Sequence, residues 1–436
     1  MNKAHKLAAQ ISIFHHLLRL KRSQWKNLRE LRKVQFKKLK AIVKYAYDYV
    51  PYYHRLFRLS GVKPEDIKSF EELKKIPPVS KQDIRENYQD FIARGLDESK
   101  LPSSFTSGST GIPLKFCYDY STLNFYHALG RYIFSECGVR PNDKFVTIWG
   151  RAQSIVWSKP YTKILKGFND ILVPAFFEEA RLVNVLQQIN PDVIYTFPSI
   201  LLLLANAEVP GIHPRLIFTQ GEMVTQHCRK AVKKAFNLEI FDTYGSVEFE
   251  FLAFECDEHC GLHVITDAVY MEFVDKSGEH VSPGEEGEIL VTGLYNRAMP
   301  LIRYRIGDMG IPTDEKCSCG RSWPLIKGIQ GRIDDCLILP SGGKISYMNF
   351  YDSFYKEIEK NVFCISQFQI VQDRKDRIIF KAVKGKKFDP KMLDKIKDAI
   401  EAIFAKQGEK IEVIMQVVND IPKGRTGKRA RLISEL

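Results

Sequence analysis

An α/β architecture is what this sequence predicts. A large N-terminal domain would carry a doubly wound, mainly parallel sheet with a β subdomain, and a small α+β domain would follow at the C-terminus. Three observations lead there. From residue 143 onward, short β-rich runs alternate with helical stretches, the pattern of a parallel sheet covered on both faces. Between about 268 and 310 the alternation stops, and apolar runs surround Ser277-Gly278 and Pro283-Gly284, as antiparallel strands do. Beyond about residue 337 the chain reads as two strands, an amphipathic helix and a further strand.

The elements follow in order. Residues 1–45 hold thirteen Lys and Arg and one acid, Glu30, so a basic arm carries nearly all of the net charge of +13. From Trp25 to Tyr45, Leu28, Leu31, Phe36, Leu39, Ile42 and Val43 recur at helical spacing among the cations, so an amphipathic helix is expected. Its apolar side either packs on the main body, leaving a solvated basic face, or meets an anionic membrane or an acidic polymer. Base-stacking and groove-reading motifs do not accompany these cations, which argues against nucleic acid. Pro51-Tyr52-Tyr53 interrupts the helical pattern, and 66–76 reads as a short helix stopped by Pro77-Pro78.

The parallel strands are expected at 144–149, 171–174, 193–197, 216–219 and 239–243, with helices at 178–189, 199–206 and 225–236. Two strands run into glycine-bearing turns, Gln220-Gly221-Glu222 and Tyr244-Gly245-Ser246. Ligands of such sheets bind beyond the carboxyl ends of the strands, so both turns are candidate site positions. The β subdomain would use 269–274 and 287–292. In the C-terminal part, 367–371 and 377–383 read as strands and Asp389-Pro390 opens a helix. That helix presents Met392, Leu393, Ile396, Ile400, Ile403 and Phe404 on one side. A strand at 411–418 and a glycine-bearing basic tail at 421–431 complete the chain. The domains expected are therefore the arm at 1–50, the large domain at 51–330 and the small one at 331–436.

Composition narrows the class. At 44% apolar and 27% charged residues the chain is globular, not disordered. No apolar run approaches the ~20 residues of a membrane span; the densest is 200–205. The N-terminus does not read as a secretory signal. Nine Cys are too sparse for a disulfide scaffold, so a reducing cytoplasm is expected. The basic arm would allow peripheral attachment to the inner face of the membrane.

The stretch Thr106-Ser107-Gly108-Ser109-Thr110-Gly111, followed by Ile112-Pro113, carries the most chemistry. Glycine lets backbone approach an anion, and the N–H groups and hydroxyls donate to phosphate oxygens. It lacks the Gly-Lys-Ser/Thr ending of a Walker loop. Alone, such a run is more often a mobile loop than a ligand site.

With the motifs that follow it in order, it resembles the adenylate-forming superfamily of acyl-CoA synthetases, luciferases and peptide-synthetase adenylation domains. The resemblance implies the following roles. The 106–111 loop covers the ATP phosphates, and Gly221-Glu222 forms the turn that packs on adenine. In Tyr244-Gly245-Ser246-Val247-Glu248 the aromatic stacks on adenine and Glu248 holds Mg2+. In Tyr304-Arg305-Ile306-Gly307-Asp308 the Asp grips the ribose hydroxyls. In Gly331-Arg332-Ile333-Asp334-Asp335, Arg332 reaches the nucleotide and Asp334 is the pivot of a mobile C-terminal domain. In Pro422-Lys423-Gly424-Arg425-Thr426-Gly427-Lys428, the last Lys reaches the acyl carboxylate and the α-phosphate. Three departures stand out: Val247 replaces a hydroxyl residue, Ile306 replaces Thr, and the lysine after the phosphate loop is displaced to Lys115. The chain length, Val50-Pro51-Tyr52-Tyr53, Ile76-Pro77-Pro78-Val79-Ser80-Lys81 and Cys317-Ser318-Cys319-Gly320-Arg321 resemble the phenylacetate–CoA ligase-like group and its capsular-polysaccharide members.

Cys256-x-x-x-Cys260 and Cys317-x-Cys319 form two knuckles suited to a structural Zn2+, with His259 or His263 near enough to replace one thiol. Two free or transiently oxidised pairs are the alternative. The remaining five Cys read as ordinary buried residues.

The resemblance implies ATP-dependent activation of a carboxylic acid to an acyl-adenylate with pyrophosphate release. Transfer to a thiol, coenzyme A first, would follow. Two alternatives remain open: the same adenylation with an amine or carrier as acceptor in cell-envelope polysaccharide synthesis, or a nucleotide-binding scaffold that has lost chemistry through changes such as Val247. Trp149, Phe176, Phe197, Pro198 and Tyr244 are candidate walls for an apolar or aromatic acid, though they would serve equally as core.

Overall fold

The computed structural model describes residues 3–106, 113–150, 169–207, 209, 211–333, 335–424 and 428–436. These fall into two compact units. One is built from Met1–Pro141 and Thr243–Ile329, the other from Asn142–Arg151, Asp170–Asp242 and Gln330–Leu436.

The first unit opens with α1 (Lys3–Ser23) and α2 (Leu28–Tyr49). Asn27 caps α2, its side chain accepting from the Glu30 N–H at 2.9 Å. Of the apolar stripe expected here, Leu31, Leu39, Ile42 and Val43 are buried. Leu28 is exposed and Phe36 half-buried. The basic face is not wholly solvated. Lys38 lies 2.8 Å from Asp267, and burial pulls its pKa down to about 8. After α3 (Pro51–Leu59), the stretch expected as one helix at 66–76 is instead two 3-10 turns, Pro64–Asp66 and Glu71–Lys75. A carboxylate folds each turn back on the backbone just before it: Asp66 accepts from the Lys63 N–H at 2.8 Å and Glu72 from the Lys68 N–H at 2.6 Å. Next come α4 (Lys81–Glu86), the hairpin β1 (Ser103–Phe105) and β2 (Lys115–Cys117), and α5 (Tyr120–Glu136), capped by Asp119.

The second unit supplies the parallel layer: β3 (Lys144–Trp149), β4 (Asn169–Pro174), α6 (Glu179–Ile189), β5 (Val193–Thr196), α7 (Pro198–Asn206), β6 (Leu216–Gln220), α8 (Gln226–Phe236) and β7 (Ile240–Tyr244). Strands β3, β5 and β6 pair in parallel in the order β6-β5-β3-β4. Every residue of β5 is buried, as a strand covered on both faces must be. Helix α7 is buried along nearly its whole length, which explains a run of four leucines without a polar face. Asn190 and Asn237 end α6 and α8 in the left-handed conformation, which asparagine tolerates.

Returning to the first unit, β8 (Ala253–Glu255), β9 (Leu262–Val264), β10 (Val269–Val274), β11 (Gly287–Gly293), β12 (Tyr304–Thr313) and β13 (Leu325–Arg332) follow. Strands β10, β11 and β12 form an antiparallel meander, and β9 pairs antiparallel with β8 and β13. The expected β subdomain is present, with β12 as a strand that the sequence pattern did not single out.

The C-terminal part of the second unit holds β14 (Cys336–Ile338), β15 (Lys344–Ser346), α9 (Tyr347–Lys360), β16 (Ile365–Arg374), β17 (Arg377–Lys384), α10 (Lys391–Ala405), β18 (Glu412–Val418) and β19 (Leu432–Ser434). Its sheet runs β18-β17-β16-β19, with the inner pair antiparallel and both outer pairs parallel. Met392, Leu393, Ile396, Ile400 and Phe404 of α10 are buried, as the helical spacing requires.

His227 on α8 is almost fully buried and has no partner at Nδ1 among the described residues. Burial, with Arg431 adding to it, lowers its pKa from 6.5 to about 4. Above 6.5 the imidazole is neutral in both folded and unfolded chains. As pH falls from 6.5 to about 4, only the unfolded chain takes up the proton, and stability drops by about 3 kcal/mol from this group. His227→Gln should therefore lose less thermal stability than the parent over that interval, measured by unfolding midpoints across pH.

Candidate active site

In the first unit the two tyrosine motifs meet. Glu248 is buried, and Tyr304 Oη donates to its Oε1 at 2.7 Å. Tyr126 Oη donates to the Glu248 carbonyl at 3.2 Å, and Tyr118 Oη to that of Val247. Tyr244, at the end of β7, donates its Oη to Asp308 Oδ2 at 2.8 Å. The segment thus has a carboxylate fixed at each end by a phenol, four aromatic hydroxyls in all. Ser246 Oγ is inaccessible and without a hydrogen-bond partner among the described residues. Val247, where a hydroxyl residue is expected, contributes its backbone carbonyl to the Tyr118 contact.

The strand carrying Asp308 is held from behind. Val79 donates to the Arg303 carbonyl at 3.0 Å, and Arg305 donates to the Val79 carbonyl at 2.8 Å. The Pro77-Pro78-Val79 segment thereby lies alongside the start of β12. Gly307, at φ 89°, turns the backbone immediately before Asp308.

Of the phosphate-loop residues, Thr106 is described and 107–111 lie outside the described residues. The hairpin stems flanking the loop are in place. Thr106 N–H donates to the Leu114 carbonyl at 2.9 Å, and Leu114 N–H donates to Thr106 Oγ1 at 3.0 Å. The displaced Lys115 is tied to Glu98 at 2.6 Å.

In the second unit Lys428 Nζ donates to the Gly221 carbonyl at 2.6 Å and sits 5.5 Å from the Phe197 ring centre. Glu222 accepts at the start of α7, from Ser199 N–H at 2.9 Å and Ser199 Oγ at 3.0 Å, and also from Arg429 N–H at 3.3 Å. A carboxylate at a helix N-terminus is favoured by the unpaired N–H groups there. Gly221 has φ 85°, and an added Cβ would stand 2.8 Å from Lys428 Nζ. The left-handed conformation favours glycine, and a side chain there would also displace the Lys428 ammonium. Lys423 Nζ donates to the carbonyls of Ala175 and Phe177 at 2.8 and 2.9 Å, and burial lowers its pKa. Arg332 closes β13 and is half-buried; Asp334 lies outside the described residues. Trp149 and Phe197 lie 4.2 Å apart, with Phe197 fully buried in the apolar core. Phe176 is exposed.

The cysteines gather in the first unit. Ligand atoms of Cys256, His263, Cys317 and Cys319 all lie within 4.8 Å of one another. His263 Nε2 is 3.4 Å from Cys319 Sγ, and its Nδ1 faces the Trp323 carbonyl at 3.3 Å. Burial lowers the imidazole pKa to about 4, which keeps it neutral. Cys260 is exposed and 3.2 Å from Cys317. The compact set of four thus includes His263, the alternative weighed above, with Cys260 beside it. At Cys317 burial opposes the thiolate, but the Cys319 N–H and neighbouring thiols outweigh it and lower the pKa. Three soft sulfurs and a neutral imidazole whose second nitrogen faces a carbonyl suit Zn2+.

Sequence reasoning did not assign Ser199, although Pro198-Ser199 before the leucine run is a helix-start signal. It also quoted Tyr304 without a role. The pairing of Tyr304 with Glu248 spans 56 positions and leaves no local signal.

The AMP-binding enzyme family matches residues 102–297, and the CapK C-terminal domain family matches residues 337–435. A phenylacetate–coenzyme A ligase of Thermus thermophilus is 30% identical over 322 residues, covering 71% of this chain and 72% of that protein. Protein CapK of Staphylococcus aureus is 24% identical over 411 residues, covering 89% and 87%. Among solved structures, a 2-hydroxyisobutyryl-CoA ligase in the postadenylation state aligns with TM-score 0.77 at 21% identity, covering 95% of this chain and 91% of that one. The fold is therefore that of the adenylate-forming ligases. The chain belongs to the phenylacetate–CoA ligase-like branch of that family, and it is an enzyme that activates a carboxylic acid with ATP.

Proposed function

We propose that the chain converts a carboxylic acid to an acyl-adenylate and passes the acyl group to the thiol of coenzyme A. The Lys428 ammonium, seated on the Gly221 carbonyl at 2.6 Å, is the observation that carries this reading. The reaction brings two anions together, the acid's carboxylate and the α-phosphate. Cations and oriented donors must offset their repulsion. Lys428 is the residue for that task. Asp308 and Tyr244 serve the ribose and adenine, Glu222 and Gly221 the adenine, Arg332 the nucleotide, and the loop at 106–111 the phosphates. Glu248 has one oxygen held by Tyr304 and the other left for a cation, and a hard carboxylate oxygen suits Mg2+. That ion would neutralise phosphate charge when bound.

A thiol and the Lys428 ammonium cannot share one approach to the acyl carbon. Residues 331–436 are read as the mobile domain that removes the lysine, with Asp334 as pivot. The Thermus relative, a phenylacetate–coenzyme A ligase, supports coenzyme A as acceptor and an apolar acid as substrate. The similarity to CapK covers more of the chain and keeps a second reading in view, an amine or carrier as acceptor. Residues Cys256, His263, Cys317 and Cys319 are read as holding a structural Zn2+, which would clamp β8, β9 and the 317–319 turn with no open coordination position.

Three outcomes are expected. Lys428→Ala should lower ATP-dependent pyrophosphate release across a panel of acids by about two to three orders of magnitude, while preformed adenylate is still consumed in the presence of coenzyme A. Normal adenylate formation by that variant would remove Lys428 from its role. Product analysis with the best acid should show a thioester that forms only when coenzyme A is present. An amide formed without it would favour the second reading. Metal analysis of purified chain should find about one zinc per molecule. Cys317→Ser and His263→Gln should lose it and Cys260→Ser should retain it.

A further inference from the structure

Helix α1 is apolar on two faces. Ile13 and Leu20 are buried, at 0% and 1% exposure, and hold the helix to the first unit. On another face Leu7, Ile11, Phe14 and Leu18 are exposed, at 58%, 62%, 59% and 38%. At about 100° per residue these four fall within roughly 60° of one another, and the buried pair lies about 140° round the helix. They form one continuous stripe in solvent rather than scattered surface residues. Trp25, Leu28 and Val34, further along the chain, are exposed as well.

The charge around the stripe has one sign. Lys21 and Arg22 fall on either edge of it by the same angular count, and Lys26, Arg29, Arg32 and Lys33 follow, all exposed. Glu30 is the single acid within residues 1–45. A cavity of about 310 Å3 lies beside the stripe, lined by Leu18, Leu31 and Val34 together with Arg19, Arg22 and Lys26. Arg19 and Lys38 are already engaged with Asp267, while Arg22 and Lys26 stand exposed at its edge. An apolar stripe bordered by cations, with a cavity of mixed apolar and basic lining, matches the interfacial region of a bilayer bearing anionic headgroups. A purely ionic polymer would make no use of exposed leucine, isoleucine and phenylalanine. No helix among the described residues is long and apolar enough to cross a membrane, so the contact is one of lying on the surface.

We propose that α1, with the start of α2, docks the chain on an anionic lipid surface, the Leu7–Ile11–Phe14–Leu18 stripe entering the headgroup region and Arg22 and Lys26 meeting lipid phosphates. The proposal is independent of the acyl acceptor. Its test is co-sedimentation of the full chain with vesicles of phosphatidylcholine alone and of phosphatidylcholine mixed with phosphatidylglycerol. Binding should be confined to the anionic vesicles and should weaken with salt. Ile11→Glu with Phe14→Glu, and separately Arg22→Glu with Lys26→Glu, should each weaken it at least about ten-fold. All four positions are exposed, so the unfolding midpoint and pyrophosphate release in solution should stay at the parent's level. Absence of binding to anionic vesicles, equal binding to neutral ones, or full binding by both variants would overturn the proposal. So would capture of the chain by dextran sulfate but not by vesicles. A dimer in solution that Ile11→Glu with Phe14→Glu dissociates, without vesicle binding, would instead make a second copy the occupant.

Discussion

A buried ion pair organises the candidate residues of the first unit. Arg303 is held at φ 46°, and its Nε lies 3.1 and 3.2 Å from the two oxygens of Glu272, with both side chains almost entirely out of water. Its Nη1 donates to the Ile76 carbonyl at 2.8 Å and to the Lys74 carbonyl at 3.2 Å. A buried charge is tolerated when hydrogen bonds and a counter-charge offset its desolvation, and here Glu272 and the 74–76 backbone supply them. One cation thus joins β10, β12 and the segment before Pro77-Pro78. Tyr304 follows Arg303 directly, so this arrangement fixes where its hydroxyl reaches Glu248 and where, four residues later, Asp308 accepts from Tyr244.

The second unit meets the same demand with backbone instead of charge. Lys428 is seated by a carbonyl that is free to turn toward it because Gly221 occupies the left-handed region. Next to it, Glu222 accepts from the Ser199 N–H and hydroxyl and from the Arg429 N–H. The Gly221 carbonyl thus fixes the position of the ammonium beside the Phe197 ring. Lys115 illustrates the contrast. It stands closer in sequence to the phosphate loop, yet Glu98 holds it at 2.6 Å. The displaced lysine after the loop is accounted for by an ion pair.

Much of the parallel layer was legible because period and burial agree. The runs around 193–197 and 216–219 are apolar apart from Tyr195, Thr196 and Thr219, and β5 and β6 are buried throughout or nearly so. The 1–50 arm is expected to be helical, but the sequence places a periodic stripe only at 25–45, because the apolar residues of α1 divide between two faces and show no single stripe at a 3.6-residue period. The run at 66–76 looks helical by composition, but Asp66 and Glu72 each bond a backbone N–H before its own turn, which gives two short turns in place of one helix. At the candidate site, the ordered motifs named the residues but not their partners. Tyr244 and Asp308 are 64 positions apart, and Cys319 and His263 are 56 apart, so only the folded chain discloses that each pair meets.

The cysteine cluster and the N-terminal arm, read separately from the sequence, belong to one mechanical unit. Arg321 follows Cys319-Gly320, and its backbone N–H points at Cys319 Sγ at 3.4 Å. Its side chain donates to Gln24 at 2.6 Å and to Glu136 at 3.2 Å, and the guanidinium lies 5.4 Å from the Trp25 ring centre. Ser322 N–H also donates to the Gln24 carbonyl at 2.8 Å. The turn between α1 and α2 is therefore anchored on the cysteine-bearing loop, at the hinge between the two basic helices. An amphipathic surface that is to engage a bilayer must hold its helices at a set angle, because apolar residues on a freely swinging helix would bury one another instead. The loop at 317–323 holds that turn through the Arg321 side chain and the Ser322 N–H, which ties the geometry of the cysteines to that of the helices carrying the exposed stripe.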